Sequence, residues 1–195
     1  MKHLAHSILI TAVLICTLVL SSCQREDINA PLVTGDHGNS LGKQVPTGVP
    51  LTIAVPEGNK LQFAANAEGV QIYQVQLTGS GYAWVFIAPE ATLYEGNNGV
   101  VGKHYAGPTW ETNSGSFVKG AKIASAPSPN ANSIPQLLLR ATTSGGPGVL
   151  DGVTYIQRLN TSGGIAPATG ADAGHVGEYA RVPYTAEYYF YTEQD

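Results

Sequence analysis

From about Val49 onward the chain is a series of short apolar runs separated by turn residues, a pattern that leaves little room for helices. The chain contains 23 Gly and 12 Pro among its 195 residues, more than the roughly 12% that these two residues make up on average. Both residues interrupt helices and mark the turns between strands. Many short strands at regular spacing predict an all-β fold, a single antiparallel β-sandwich or closed barrel with long loops and little helix.

The alternation of apolar and polar residues predicts where the strands lie. In residues 71–77 apolar residues alternate with glutamines, which is typical of a strand with one buried face. Residues 82–88 are apolar on both alternating faces, as expected for an interior strand covered on both sides. Residues 61–68 fit two helical turns or a strand equally well. Further strands are predicted at residues 117–123, 137–140, 153–159 and 185–191.

Two short patterns add detail to this prediction. Asn98-Gly99 lies between two apolar pairs, and this dipeptide strongly favours a hairpin turn. In the last predicted strand, the residues on one face are Ala186, Tyr188 and Phe190, and those on the other are Glu187, Tyr189 and Tyr191.

The first 23 residues have the layout of a bacterial lipoprotein signal. A basic start precedes an apolar run over residues 8–20, which is too short to span a roughly 30 Å hydrocarbon core but suits a signal peptide. The run ends in Leu20-Ser21-Ser22-Cys23, which supplies the small residues and the thiol that lipoprotein processing requires. Cys23 is therefore the predicted lipidation site, and Gln24 after it favours the outer membrane. An uncleaved apolar anchor and an ordinary secretory signal are the alternatives.

These features divide the chain into three parts. Residues 1–22 are the predicted signal peptide, residues 23–48 a flexible tether, and residues 49–195 a single β domain. The tether mixes charge, Gly, Asn and Pro without an apolar period, so it cannot bury enough surface to offset its ordering entropy. Membrane lipid is the expected partner, bound through the acyl chains, palmitate among them, that Cys23 would carry.

Charge, cysteine and histidine content exclude several classes of function. The formal net charge is −4 and no basic cluster is present, which argues against nucleic acid as a partner. The 2 cysteines are Cys16 in the signal peptide and Cys23, so the folded domain has no disulfide, Cys-ligated metal or thiol nucleophile. The histidines beyond the signal peptide are His37, His104 and His175, too few for a mononuclear metal site, and no cofactor is predicted.

The segment of residues 104–116 carries the best constellation for chemistry. It combines His104, Trp110 and Glu111 with Gly and Pro, which form the loops in which functional groups tend to lie. A His–Glu pair can be tuned to act as general acid and base near neutral pH. The alternative is structural, with His104 bonded to a loop carbonyl and Trp110 filling one end of the fold.

A second group of candidate residues lies near the end of the chain. Arg158 and Asn160 can grip a carboxylate or sugar hydroxyls at a strand end, unless Arg158 is a buried residue that holds loop carbonyls. Tyr189, with its neighbouring tyrosines, can offer a stacking surface for carbohydrate, although such a strand is more often half core and half rim.

Several blocks of the sequence are distinctive enough to compare with known families. In order they are VPEGNKLQFAANAEGVQIY, WVFIAPEATL, VGKHYAGPTWE, GSFVKG, IPQLLL, VTYIQRLNTSGGIAP and RVPYTAEYYFY. Together, from about residue 49 to 191, they resemble domain of unknown function family 3455. Members of this family are secreted or lipid-anchored proteins of bacteria and fungi without an assigned activity, so the resemblance implies export rather than a reaction.

The resemblance also implies a pair of cysteines that this chain lacks. In the family a Cys commonly stands where this chain has Val75, and another follows the GGxAP block, where this chain has Ala171. Their joint absence implies that the two form a disulfide in relatives and that Val75 lies beside the loop around Ala171. The IPWLLL block of the family also has Gln136 in place of its Trp here.

These observations favour a lipid-anchored envelope protein that is a non-catalytic binding or structural module. The sequence leans away from an enzyme because it contains no coherent set of acid, base and nucleophile. The main alternative is a secreted hydrolase or lyase acting on envelope or extracellular carbohydrate, with His104, Glu111 and Arg158 as its catalytic groups. A metal-binding protein is a further alternative.

Overall fold

A computed structural model describes residues 44–96 and 99–194 of the chain. Its strands form one antiparallel sheet that closes into a barrel, in which each strand pairs with the next and the last pairs with the first. The predicted all-β fold is confirmed, in the form of a closed barrel. The 8 strands are β1 (Asn59–Thr78), β2 (Gly81–Glu95), β3 (Gly99–Tyr105), β4 (Thr109–Thr112), β5 (Phe117–Ala126), β6 (Gln136–Gly145), β7 (Val153–Gly163) and β8 (Tyr179–Glu193).

The alternation along each strand decides which side chains face the barrel interior. In β8, Tyr188 and Phe190 belong to the interior core, whereas Tyr189 and Tyr191 belong to a second cluster on the outer face. Residues 61–68, which fit a helix or a strand, lie within β1. Hydrogen bonding to β2 on one side and β8 on the other settles what local sequence leaves open.

One end of the barrel is closed by large apolar side chains. Phe63 of β1 stacks on Phe190 of β8 with ring centroids 5.7 Å apart. The loop between β6 and β7 adds Leu150, which is fully buried. The Ser116 hydroxyl accepts a hydrogen bond of 2.9 Å from the Leu150 backbone N–H, so this loop is held in place as a plug.

The opposite end is open because the strands differ in length. β1 and β2 contain 20 and 15 residues, whereas β3 and β4 contain only 7 and 4. β2 pairs with β3 only from Ala91 to Glu95, so residues 81–90 extend beyond the end of β3. Residues 82–88 do form a strand, but the prediction that they are covered on both sides is wrong. Phe86 and Ile87 are 49% and 43% exposed, because the short β3 leaves this part of β2 with β1 as a neighbour on one side and no strand on the other.

Residues 44–55, here called the strap, lie across the outer wall of the barrel. Ile53 of the strap is fully buried in the outer cluster, which also contains Leu138, Tyr189 and Tyr191. The Gln157 side-chain amide donates a hydrogen bond of 2.7 Å to the Ile53 carbonyl, and the Tyr191 hydroxyl donates one of 2.8 Å to the Gln157 side-chain oxygen. The strap therefore covers both the apolar and the polar side chains of this outer face.

Some of the sequence predictions concern residues outside the described ranges. Cys23, the tether up to residue 43 and Asn98 of the predicted hairpin are among them. The strands on either side of that hairpin do pair, with Glu95 opposite Gly99. Residues 44–48, the described part of the predicted tether, belong to the strap. Within the part of the chain that the structure describes, no helix is long and apolar enough to cross a membrane.

The loop between β7 and β8 packs against the extended part of β1. Val75 is fully buried, and its backbone N–H donates a hydrogen bond of 3.0 Å to the Glu178 carbonyl. Trp84, opposite Val75 on β2, donates from its indole nitrogen to the Thr169 carbonyl at 2.8 Å. These contacts agree with the implied proximity of Val75 and the loop around Ala171. A disulfide between the two positions in relatives stays a prediction.

The strap yields a test of how much the outer cluster stabilises the fold. We expect Ile53→Ala to lower the free energy of unfolding by about 2–5 kcal/mol, because truncation of this fully buried side chain leaves a cavity that its neighbours fill only partly. Leu51→Ala, two residues earlier at a side chain that is 93% exposed, is the matched control and should change it by less than about 0.5 kcal/mol. Urea denaturation measures both values, and equal effects of the two substitutions would contradict the packed strap.

Candidate ligand-binding site

A cavity of about 790 Å³ lies inside the barrel at its open end. The apolar and aromatic side chains of its wall include Tyr73, Phe86, Trp110, Leu137, Leu139 and Tyr188. The polar side chains of the wall include Gln71, His104, Lys122 and Arg158. Apolar walls with a few polar groups are typical of sites for small molecules.

Three aromatic rings contributed by distant parts of the chain line the inner part of this cavity. His104 of β3 and Trp110 of β4 are directly opposite each other in the hairpin, so both point inward. Their rings stack with centroids 4.3 Å apart and planes 8° from parallel. Tyr188 of β8 packs edge-on against both, with centroid distances of 5.0 and 5.1 Å. The cluster thus links the short β3–β4 hairpin to the strand that closes the barrel.

His104 is held as a neutral ring. Its Nδ1 lies 2.8 Å from the Thr109 carbonyl oxygen, which can only accept, so Nδ1 carries the hydrogen. Burial lowers the pKa of His104 to about 3; the hydrogen bond to Thr109 opposes this shift and the positive charge of Arg158 adds to it. A ring with so low a pKa does not exchange protons near neutral pH, so it is unsuited to general acid–base catalysis there.

Arg158 brings a positive charge to the cavity wall. It lies opposite Leu137 of β6 and Tyr188 of β8, on the inner face of β7. Its Nε and Nη2 donate hydrogen bonds of 3.2 and 2.8 Å to the Pro135 carbonyl, which orients the guanidinium. Among the described residues no carboxylate pairs with it, since the ion pairs there join other cations to Glu90, Glu111 and Asp172.

Three side chains of the cavity wall carry buried polar atoms without a hydrogen-bond partner among the described residues. They are Gln71 at Nε2, Trp110 at Nε1 and Tyr188 at its hydroxyl. Burial raises the pKa of Tyr188, and both Arg158 and the Tyr184 hydroxyl oppose the rise from nearby, but no hydrogen bond of ordinary geometry joins Tyr188 to either of them. Because buried donors are nearly always satisfied in folded proteins, each of these atoms calls for an explanation.

Glu111 does not share the cavity with His104 and Arg158. It follows Trp110 in β4, so it points to the outer face, where its carboxylate accepts a hydrogen bond of 2.7 Å from the Tyr105 hydroxyl. Lys103 lies 3.5 Å from the same oxygen. The Tyr105 hydrogen bond holds the pKa of Glu111 below its usual value. The three groups proposed as catalytic in the carbohydrate hydrolase or lyase alternative therefore do not converge.

Asn160 and Tyr189 lie on the outer wall, beneath the strap. Both donate hydrogen bonds of 2.7 Å to the same carboxylate oxygen of Glu187. Asn160 adopts a left-handed backbone with φ of 47°, a conformation that Asn tolerates better than most residues. This polar group lines a separate cavity of about 600 Å³ between the strap and the outer faces of β7 and β8, so the predicted ligand residues divide between two places.

The sequence did not identify Gln71 as a site residue, and it pointed to Tyr188 only as one of the tyrosines around Tyr189. A pattern for both was present, because Gln71 shares a face with Tyr73, and Tyr188 shares one with Phe190. This alternation shows which residues share the inner face of a strand. It does not show which of them pack against other side chains and which line a cavity. Within the described residues, no three His, Cys, Asp or Glu side chains group closely enough to hold a metal ion.

Comparison with known proteins gives a family and no activity. The family model DUF3455, described as a protein of unknown function, matches residues 56–192. The chain belongs to this family, as the distinctive blocks of its sequence predict. No curated protein and no solved structure matches the chain.

The buried neutral His104 predicts a particular pH dependence of stability. Its folded pKa lies below the ordinary value of 6.5, so only the unfolded chain binds this proton between pH 6.5 and about 3. Stability is therefore intact above pH 6.5 and falls with decreasing pH by up to about 1.4 kcal/mol per unit. His104→Asn keeps a donor for Thr109 but cannot titrate, so the wild-type slope should exceed the variant slope in urea denaturation between pH 6.5 and 4.

His175 provides the matched control for this experiment. It is exposed, and its hydrogen bond with Asp172 raises its pKa above 6.5. Its contribution to stability is present at acid pH and is lost as the pH rises through the raised pKa. Between pH 6.5 and 4 this ring is mostly protonated in both the folded and the unfolded chain, so His175→Asn should leave the slope in that range nearly unchanged. Identical slopes for wild type and His104→Asn would show that the His104 ring is protonated in the folded state as readily as in the unfolded one.

Proposed function

We propose that this member of the DUF3455 family is a lipid-anchored envelope protein that binds a small, mainly apolar molecule inside its barrel. The observation that carries the proposal is the cavity of about 790 Å³ at the open end. Its volume lies within the roughly 300–1,000 Å³ of typical small-molecule sites. Most of the wall is formed by strands, which limits the ordering cost of binding.

The differing strand lengths favour access to this cavity from solvent. Phe86 and Ile87 form an exposed apolar lip on β2, and the β3–β4 turn at Gly107 and Pro108 forms the low side of the wall. An apolar molecule can leave water at this lip and move inward toward the aromatic cluster, burying surface along the way.

Binding is favoured over catalysis by the state of the polar groups. His104 is neutral over the physiological pH range, and its ring hydrogen is committed to the Thr109 carbonyl. Glu111 is on the outer face, engaged by Tyr105 and Lys103. These are the properties of side chains that shape a wall, and they supply no acid–base pair for a reaction inside the cavity.

The binding proposal can be tested with a neutral fluorescent probe. We expect the full chain to bind N-phenyl-1-naphthylamine saturably at one site, with increased probe emission, because most of the cavity wall is apolar. Leu137→Trp fills space beside Arg158 and should weaken this binding by at least about tenfold. Leu51→Trp, on the exposed side of the strap, is the control and should bind as the wild type does. An absence of probe binding to the wild type would refute the proposed function.

The anchoring proposal rests on the sequence motif around Cys23. In a bacterial host, the wild type should incorporate labelled palmitate and sediment with membranes. Cys23→Ser removes the acceptor thiol and should abolish both. Cys16→Ser, seven positions earlier in the apolar run, is the matched control and should be labelled normally. Labelling that survives Cys23→Ser would contradict the assignment.

A further inference from the structure

The charged side chains of the cavity wall are positive. Arg158 lies on its inner surface and Lys122 is an exposed residue at its edge. Among the described residues, no Asp or Glu lines the cavity. A positive charge beside an apolar cavity, without a carboxylate to pair with, favours a negatively charged guest, because the low local dielectric strengthens the attraction.

The unpartnered groups of the wall point to the same chemistry independently of charge. Gln71, Trp110 and Tyr188 are 3%, 1% and 1% exposed, so their polar atoms are covered in this structure and a ligand would reach them only after a shift of the side chains around them. An indole N–H can only donate, an amide NH₂ can only donate, and a phenol can donate. The Tyr184 hydroxyl lies beside Gln71 and Tyr188, and its oxygen can accept from them. The Trp110 indole N–H has no such neighbour among the described residues, so it lacks an acceptor that a ligand would bring.

The hydrogen bonds and the single charge of Arg158 limit the negative charge that the ligand can carry. Two of its nitrogens are committed to the Pro135 carbonyl, which leaves part of the fork for a ligand. One guanidinium in an apolar wall balances one negative charge, and a second charge on the ligand would be buried without compensation. A carboxylate, flat and singly charged, matches a guanidinium better than a phosphate does in this setting.

We infer that the ligand is a monocarboxylic acid with an apolar or aromatic body, whose carboxylate binds Arg158 and accepts from the Trp110 indole N–H. The body occupies the apolar part of the cavity toward Phe86 and Leu137. This inference rests on the proposed function, which it deepens by naming the class of ligand.

The test compares two ligands of equal shape that differ in charge, 2-naphthoate and 2-naphthamide, as competitors of N-phenyl-1-naphthylamine on the full chain at neutral pH. We expect naphthoate to bind at least about tenfold more tightly, because a hydrogen bond to a charged group is the stronger one. Arg158→Gln should reduce this preference to about threefold or less. Arg140→Gln, an equal loss of charge on the outer face of β6, is the control and should keep it.

A spectroscopic readout needs no variant of the site. The chain has 2 tryptophans, and only Trp84 has its indole N–H bonded within the described structure, to Thr169. In ¹⁵N-labelled protein, naphthoate should move the Trp110 indole resonance downfield and leave that of Trp84 nearly in place. Trp84→Phe assigns the two signals. This measurement keeps the inference falsifiable if Arg158→Gln does not fold, and Arg158→Lys, which retains the charge, should then preserve part of the preference.

The outcomes separate the two proposals. If the neutral probe binds but naphthoate and naphthamide compete within about twofold of each other, the carboxylate inference is overturned and the binding function stands. A naphthoate preference that survives Arg158→Gln also overturns it, because the anion would then lie elsewhere. If neither the probe nor either competitor binds, the proposed function itself fails.

Discussion

The pairing of β1 with β8 is the constraint on which the rest of the structure depends. It runs from Asn59 opposite Glu193 to Gln74 opposite Tyr179 and joins the first strand of the sheet to the last. A closed sheet has no free edge to pair with other chains, and each of its strands has one face inside and one outside. Alternate residues of each strand therefore face two environments. One is the core and cavity within the barrel, and the other is the outer wall, part of which the strap covers.

The difference in length between the strands determines which part of the barrel interior is filled by side chains and which part is a cavity. At the closed end, Phe63, Phe190 and Leu150 fill the space between the walls. At the other end β3 and β4 stop early, and the interior continues as a cavity. Gly120 of β5 contributes here, because a Cβ on it would lie 3.3 Å from the Trp110 ring and 3.2 Å from Ile156. The missing side chain leaves room for the indole ring beside this part of β5.

The polar groups of the interior connect stability with function. A buried donor without a partner costs about 1–3 kcal/mol, and Gln71, Trp110 and Tyr188 all carry unpartnered atoms within the described structure. His104 shows the opposite solution, since its ring hydrogen is satisfied by a backbone carbonyl and its second nitrogen stays unprotonated. The barrel is held together by its strand pairing and two apolar clusters, which offset the cost of these unpartnered groups.

The sequence by itself determined the all-β class, most of the strand positions, the alternation that separates Tyr188 from Tyr189, and membership of the family, because these depend on local patterns. It also singled out His104, Trp110 and Arg158. The tertiary structure alone decided that the sheet closes, that the extended part of β2 is exposed, and that these three residues share a cavity while Glu111 and Asn160 do not. Those outcomes depend on which strands become neighbours and where each one ends. Both follow from pairing between segments far apart in the chain, about which local alternation carries no information.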